Sequence, residues 1–154
     1  MYPFVLQDWI TVRGPNGTQP LIQNESDWLD LSAFQDVVAW IDIQEVTGAT
    51  PTLFIETAPA KDDLLFLPMG GPTGYSMTVN ASPLAPLVVQ LLAGLAPIPL
   101  ASFLRWRIVG VAGIWDACFR IVIAANAPGM AAAQDAGGPG ASALTGAMAP
   151  MFGS

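Results

Sequence analysis

Apolar and polar residues alternate with a period of two along much of this chain. The alternation is sharpest over Phe103 to Ile123, FLRWRIVGVAGIWDACFRIVI. Leu104, Trp106 and Ile108 fall on one face of a strand, with Arg105 and Arg107 on the other. A second strand turns Phe119, Ile121 and Ile123 toward a core and Arg120 and Val122 outward. The connection VGVAGIWD contains Gly110 and Gly113, which predicts a hairpin or a slightly longer loop. On that reading, three of the five basic residues share the outer face of one ribbon.

The same period marks Asp36 to Val46, with Ala39, Ile41 and Ile43 on one face and Val38, Trp40, Asp42 and Gln44 on the other. TGATP at 47–51 is a turn, and TLFIET at 52–57 is the next strand, expected to pair antiparallel with the first. Residues 1–24 read as an N-terminal arm or edge strand, broken by Pro3 and by the turn cluster Arg13-Gly-Pro-Asn-Gly, with a short strand from Pro20 to Asn24. SDWLDLSAF at 26–34 fits a single helical turn capped by Ser26 or an irregular strand. Further short strands fall at Leu64–Pro68 and at VVQLL within 83–93, and GGPTG at 70–74 is a loop before the alternating stretch Tyr75–Asn80.

About eight short strands punctuated by Pro and Gly, with no amphipathic helix between them, predict an all-β fold. The expected architecture is an antiparallel β-sandwich, jelly-roll-like, over residues 25–125. From Asn126 to Ser154 the composition shifts to Ala, Gly, Pro, Ser and Met, which reads as a low-complexity extended tail.

Charge sharpens this picture. Charged residues make up 11% of the chain and hydrophobic ones 53%, against roughly 25% charged in an ordinary soluble domain. Such a chain either lies in a membrane or has much of its surface covered by other subunits. The most apolar stretch, Leu84 to Leu100, is interrupted by Pro86, Pro97 and Pro99, so no membrane span is expected and coverage by partners is preferred. A net charge of −7 argues against direct contact with nucleic acid. The N-terminus has no basic segment ahead of an apolar run, so no secretory signal is expected, and the lone Cys118 reads as a small core hydrophobe in a reducing cytoplasm.

Candidate chemistry is sparse. Histidine is absent, which removes Ser-His-Asp, Cys-His and His-metal sites, and GGPTG lacks the Lys of a phosphate loop. Asp42, Glu56, Asp62, Asp63 and Asp116 are the carboxylates available to a paired-acid glycosidase or, for Asp62 and Asp63, to a calcium ion. The adjacent Asp62 and Asp63 read as solvated loop residues, and Arg105, Arg107 and Arg120 as cross-strand partners of Asp42 and Glu56 on one outer face. No enzyme, cofactor or metal is expected. Interface anchors are the better reading of Trp9, Trp40 and Trp115, of which Trp40 and Trp115 are expected to be the more exposed, with Trp106 in the core. In the tail, Met130, Leu144, Met148, Met151 and Phe152 are the apolar anchors offered to a neighbour.

The succession VVAWIDIQEVTG, TPTLFIETAPAKDD, a Gly-rich loop, then FLRWRIVGVAG feeding CFRIVI resembles small β-sandwich structural proteins of tailed bacteriophage particles, of the head decoration or cement type. The resemblance covers roughly residues 36–124. It implies a non-enzymatic virion protein that binds and stabilises a capsid, often as a trimer, with the major capsid protein or other virion subunits as partners and assembly in the host cytoplasm. A head–tail connector, tail or spike-base subunit fits the same pattern. A weaker resemblance, to discoidin-type galactose-binding sandwiches, implies a carbohydrate-binding module instead.

Overall fold

A computed structural model describes residues 1–14, 19–69, 73–79, 86–91, 98–110 and 113–128. Their strands are β1 (Tyr2–Gly14), β2 (Pro20–Ile22), β3 (Leu29–Asp30), β4 (Asp36–Gly48), β5 (Thr52–Ala58), β6 (Leu67–Pro68), β7 (Tyr75–Ser76), β8 (Leu87–Leu91), β9 (Phe103–Val109) and β10 (Trp115–Asn126). Two single turns of 3-10 helix, Glu25–Asp27 and Asp63–Leu65, lie among the described residues. Every described pairing is antiparallel.

One sheet, sheet A, runs β1-β10-β4-β8. The other, sheet B, runs β2-β9-β5-β6, with β3 also on β9 and β7 also on β5. Taking β2 with β3, and β6 with β7, as interrupted single strands gives an eight-strand chain in which every connection but β5–β6 changes sheets. This is the jelly-roll wiring, two Greek keys wrapped into a two-layer body.

The alternation explains the layers. Leu53 and Ile55 on β5 and Leu104, Trp106 and Ile108 on β9 face Ala39, Ile41 and Ile43 on β4 and Phe119, Ile121 and Ile123 on β10, and all are buried in one cluster. Trp106 meets Phe119 edge to face between the sheets, with ring centres 5.3 Å apart. Burial of this order, at roughly 25 cal/mol per Å² of apolar surface, is the main force holding the layers together.

Two expected pairings are replaced. β9 and β10 are not a hairpin, because β9 pairs with β2 and β5 in sheet B and β10 with β1 and β4 in sheet A. Likewise β4 and β5 lie in different sheets. The chain therefore changes layers between β9 and β10 and between β4 and β5. Strand alternation specifies which face is buried but says nothing about which neighbour completes the hydrogen bonds. The arm proposed for residues 1–24 supplies β1, which pairs with β10 along nearly its whole length, and β2. Asn126, the first residue assigned to the tail, ends β10, and its amide donates to Asp36 at 2.8 Å.

Candidate interaction surfaces

Sheet A carries an apolar row across its outer face. Val5 of β1 stands opposite Val122 of β10, Val122 opposite Trp40 of β4, and Trp40 opposite Val88 of β8. Beside it lies a second row, Pro3, Ala124 and Val38, in the same register. At the two ends Val5 is 54% exposed and Val88 47%, while Val122 and Trp40 are half-buried among their neighbours.

Charge next to this row is neutralised locally. Arg120 pairs with Asp42 at 2.7 Å and lies 4.9 Å from the centre of the Trp9 ring. Farther along, Arg13 donates to Asp116 at 2.8 Å, and this hydrogen bond, then the charge of Asp116, holds Arg13 above its ordinary pKa. The arginines of this face thus end in ion pairs and leave the row uncharged.

Sheet B is built differently on its outer face. Arg105 is buried at 3% exposure although it points away from the core. Its Nε donates to Glu56 at 3.0 Å, its Nη1 donates to Asp63, and Arg107 Nε donates to the other Glu56 oxygen at 2.7 Å. The Arg105 guanidinium is stacked 3.8 Å from the Phe66 ring centre and 4.9 Å from that of Trp28, and Arg107 lies over Phe54. Trp28, Ala58 and Phe66 form a second small cluster separate from the main core, with Phe103 packed against it.

This chain of charges and rings fixes the 3-10 turn Asp63–Leu65. Asp62 caps it by accepting from the Leu64 N–H at 3.0 Å, and the Leu65 N–H donates to the Asp62 carbonyl at 3.0 Å. The turn presents Leu64 at 90% exposure and Leu65 at 42%, beside the exposed Leu67 of β6. An apolar pair held this firmly loses little entropy when a partner covers it. Each leucine fully covered is worth roughly 1.5–3 kcal/mol.

The structure separates the residues singled out in the sequence. Trp9 is exposed on β1 and Trp40 lies in the apolar row, whereas Trp115 is 1% exposed and belongs to the core, where its ring lies directly over Gly14. Met130, Leu144, Met148, Met151 and Phe152 lie outside the described residues. Cys118 sits on the outer face of β10 near Gln44, beside a register shift, and not in the core. Asp63 pairs with Arg105 while its side chain stays 64% exposed, and the exposed Asp62 caps the turn. The three arginines do pair with Glu56 and Asp42, but on opposite outer faces of the sandwich. The leucine turn went unread because KDDLLFLP has no distinct period; its signal was the Asp-Asp start followed by leucines.

A cleft of about 390 Å³ lies between Val5–Asp8 of β1 and Ser26–Leu29. Its polar groups are largely engaged: Gln7 accepts from Trp106 Nε1 at 3.0 Å, and Asp8 accepts from the Trp9 N–H at 2.8 Å. Among the described residues no three His, Cys, Asp or Glu side chains gather to hold a metal ion, and no helix is long and apolar enough to cross a membrane.

No family model matches this chain, and no curated protein does. Among solved structures it is similar to a chain in the structure of infectious bursal disease virus Gx strain, with 11% identity and a TM-score of 0.44. The likeness covers 83% of this chain and 32% of that one.

Proposed function

We propose that this chain is a non-enzymatic structural subunit of a virus particle, a decoration or cement protein that binds the outside of a capsid. One observation carries the reading: a jelly-roll body bears an apolar docking feature on each of its two opposite outer faces, the valine–tryptophan row on sheet A and the leucine turn on sheet B. A body with a contact surface on each side meets two neighbours at once, as an element of a shell does. Jelly rolls are used in viral capsids, although they also serve as lectin domains and cupins, so the surfaces and not the fold bear the weight. Low charge supports the same reading, since subunits in a shell cover much of each other.

The mechanism is mass action. A subunit that binds only the assembled shell stabilises it in proportion to occupancy. The neck, tail and spike base are other positions in a particle that such a subunit would fit. The glycan-binding alternative called for Trp40 or Trp115 beside a concave polar site. Trp115 is in the core and Trp40 stands between valines on a sheet face, so no observation favours it. The test is co-sedimentation of the purified chain with capsids: saturable binding supports the role, and binding no greater than that of an unrelated acidic protein overturns it.

A further inference from the structure

We propose that the C-terminal segment 129–154 of this chain covers the apolar strip on the outer face of its own sheet A. The strip consists of two rows, Pro3–Ala124–Val38 and Val5–Val122–Trp40–Val88. The contact deepens the shell-subunit reading, and rests on that reading only for what displaces the segment in a particle.

The point of attachment selects the occupant. Asn126 ends β10 opposite Asp36, at the end of the sheet where the strip lies. Ala124 is two residues before it and Val122 four, so at ~3.4 Å per residue the rows begin about 7 Å and 14 Å from that end. Residues beyond Asn126 must reverse direction to run back over the strip, and Pro128-Gly129 is a turn dipeptide at the place required. Met130 follows it immediately, as an apolar side chain for the nearer row. The segment holds 26 residues and spans up to roughly 85 Å when extended. Crossing from β1 to β8 takes only about 15 Å, so Leu144, Met148, Met151 and Phe152 also have the reach to meet the valine–tryptophan row.

Charge agrees with the occupant. The segment contains one charged side chain, Asp135, and neither row of the strip contains any. The nearest arginine on that face, Arg120, is already paired with Asp42. A separate molecule of this chain would bring a second charge of −7 to the contact, which the chain's own segment does not.

The tether decides between them. A short linker holds its end at an effective concentration on the order of 1 mM. A contact with a Kd of about 1 mM between separate molecules is then half-formed within one chain, whereas at 1 μM a second copy occupies about a thousandth of the strips. The leucine turn is a poorer seat, because it lies on the outer side of sheet B, with Asp62 and Asp63 beside its leucines. In the free subunit the segment thus shields the strip, and a shell neighbour that binds there takes its place.

The experiment is NMR of the full chain carrying 13C-methyl methionine. Met69 and Met77, both 1% exposed, report the intact core, while Met130, Met148 and Met151 report the segment. Methyls of the segment are expected to show cross-peaks to Trp40 or Val122, with positions that do not change on dilution. Val88→Glu places a charge in the strip at an exposed position, and should move those methyls toward the position of free methionine while Met69 and Met77 stay unchanged. Leu64→Glu adds the same charge on the opposite face and should leave them in place.

Three results overturn the contact: segment methyls at the free-methionine position with no cross-peak to the strip, an equal response to both substitutions, or no response to Val88→Glu. A fourth comes from mixing labelled with unlabelled chain. Cross-peaks between the two chains would mean that the segment reaches a second copy, which also overturns it. Capsid co-sedimentation is scored separately. A chain that binds capsids without the methyl contacts overturns this inference and leaves the shell reading standing, and methyl contacts without capsid binding do the reverse.

Discussion

The guanidinium of Arg105 stands 3.8 Å from the centre of the Phe66 ring, stacking a buried cation on the aromatic residue that anchors the leucine turn. Glu56 and Asp63 supply the counter-charges, and Arg107 shares Glu56. Glu56→Ala leaves Arg105 buried with Asp63 alone, and is expected to cost about 3–5 kcal/mol, toward the lower end because Asp63 remains. Replacing both Glu56 and Arg105 by leucine is expected to recover most of that loss, since the desolvation of both charges disappears together. Urea unfolding of the three proteins checks this; a double variant no more stable than Glu56→Ala contradicts it.

Gln23 clips the two sheets at the β1 edge. Its Nε2 donates to the Leu6 carbonyl at 2.6 Å, and its Oε1 accepts from the Trp106 N–H at 3.3 Å. Gln23→Ala is expected to cost about 1–3 kcal/mol by leaving these buried groups unpaired. Gln23→Glu is expected to cost more at neutral pH, because a carboxylate cannot donate to Leu6. Its buried carboxyl has a raised pKa, so its deficit should shrink as pH falls and the protonated form regains a donor. Denaturant midpoints at pH 5 and pH 8 measure the difference, and an equal deficit at both would count against the assignment.

Gly48 ends β4 at φ +80, where a Cβ would stand 2.1 Å from the Ile114 carbonyl oxygen. Gly113 is also left-handed, at φ +113, but a Cβ there meets only the Ala49 Cβ at 3.6 Å. Gly113→Ala therefore carries backbone strain of roughly 1–2 kcal/mol, and Gly48→Ala carries the strain and the backbone clash. The melting temperature is expected to fall further for Gly48→Ala than for Gly113→Ala. The reverse order would mean that the crossing at 49–51 yields more easily than its geometry implies.

Burial raises the pKa of Tyr75, which packs against the core from β7. A group whose folded pKa is raised contributes stability in full below its unfolded pKa, near 10 for tyrosine, and loses that contribution as pH rises through the folded value. Stability is therefore expected to drop above about pH 10. Tyr75→Phe should flatten that alkaline limb without changing the profile between pH 6 and 8. An unchanged alkaline limb would assign the titration elsewhere.

Much of the fold was legible because a strand's period of two is a local property. The core faces of β4, β9 and β10 follow from alternation alone, and all lie as the pattern places them. Pairing was not legible: the hairpin expected around Gly110 and Gly113 requires knowing whether the chain turns back or crosses, and both need the same glycines. Arg105 illustrates a different limit. Alternation correctly put it on the outer face, yet a loop whose Asp63 is 42 residues away in sequence covers it with Phe66 and Asp63. Trp115 was misjudged because its position at the start of β10 looked like a loop end, whereas the absent side chain of Gly14 opens space for its ring. The leucine turn became visible only once its supporting charges were placed.

Quantitative mass spectrometry of purified virus particles from cells making this chain tests the central claim most directly. The account expects the chain in a fixed ratio to the major shell protein across preparations, and a Leu64→Glu chain depleted from the same particles. Particles free of the chain, while it accumulates unassembled in the same cells, would contradict a structural role in the shell.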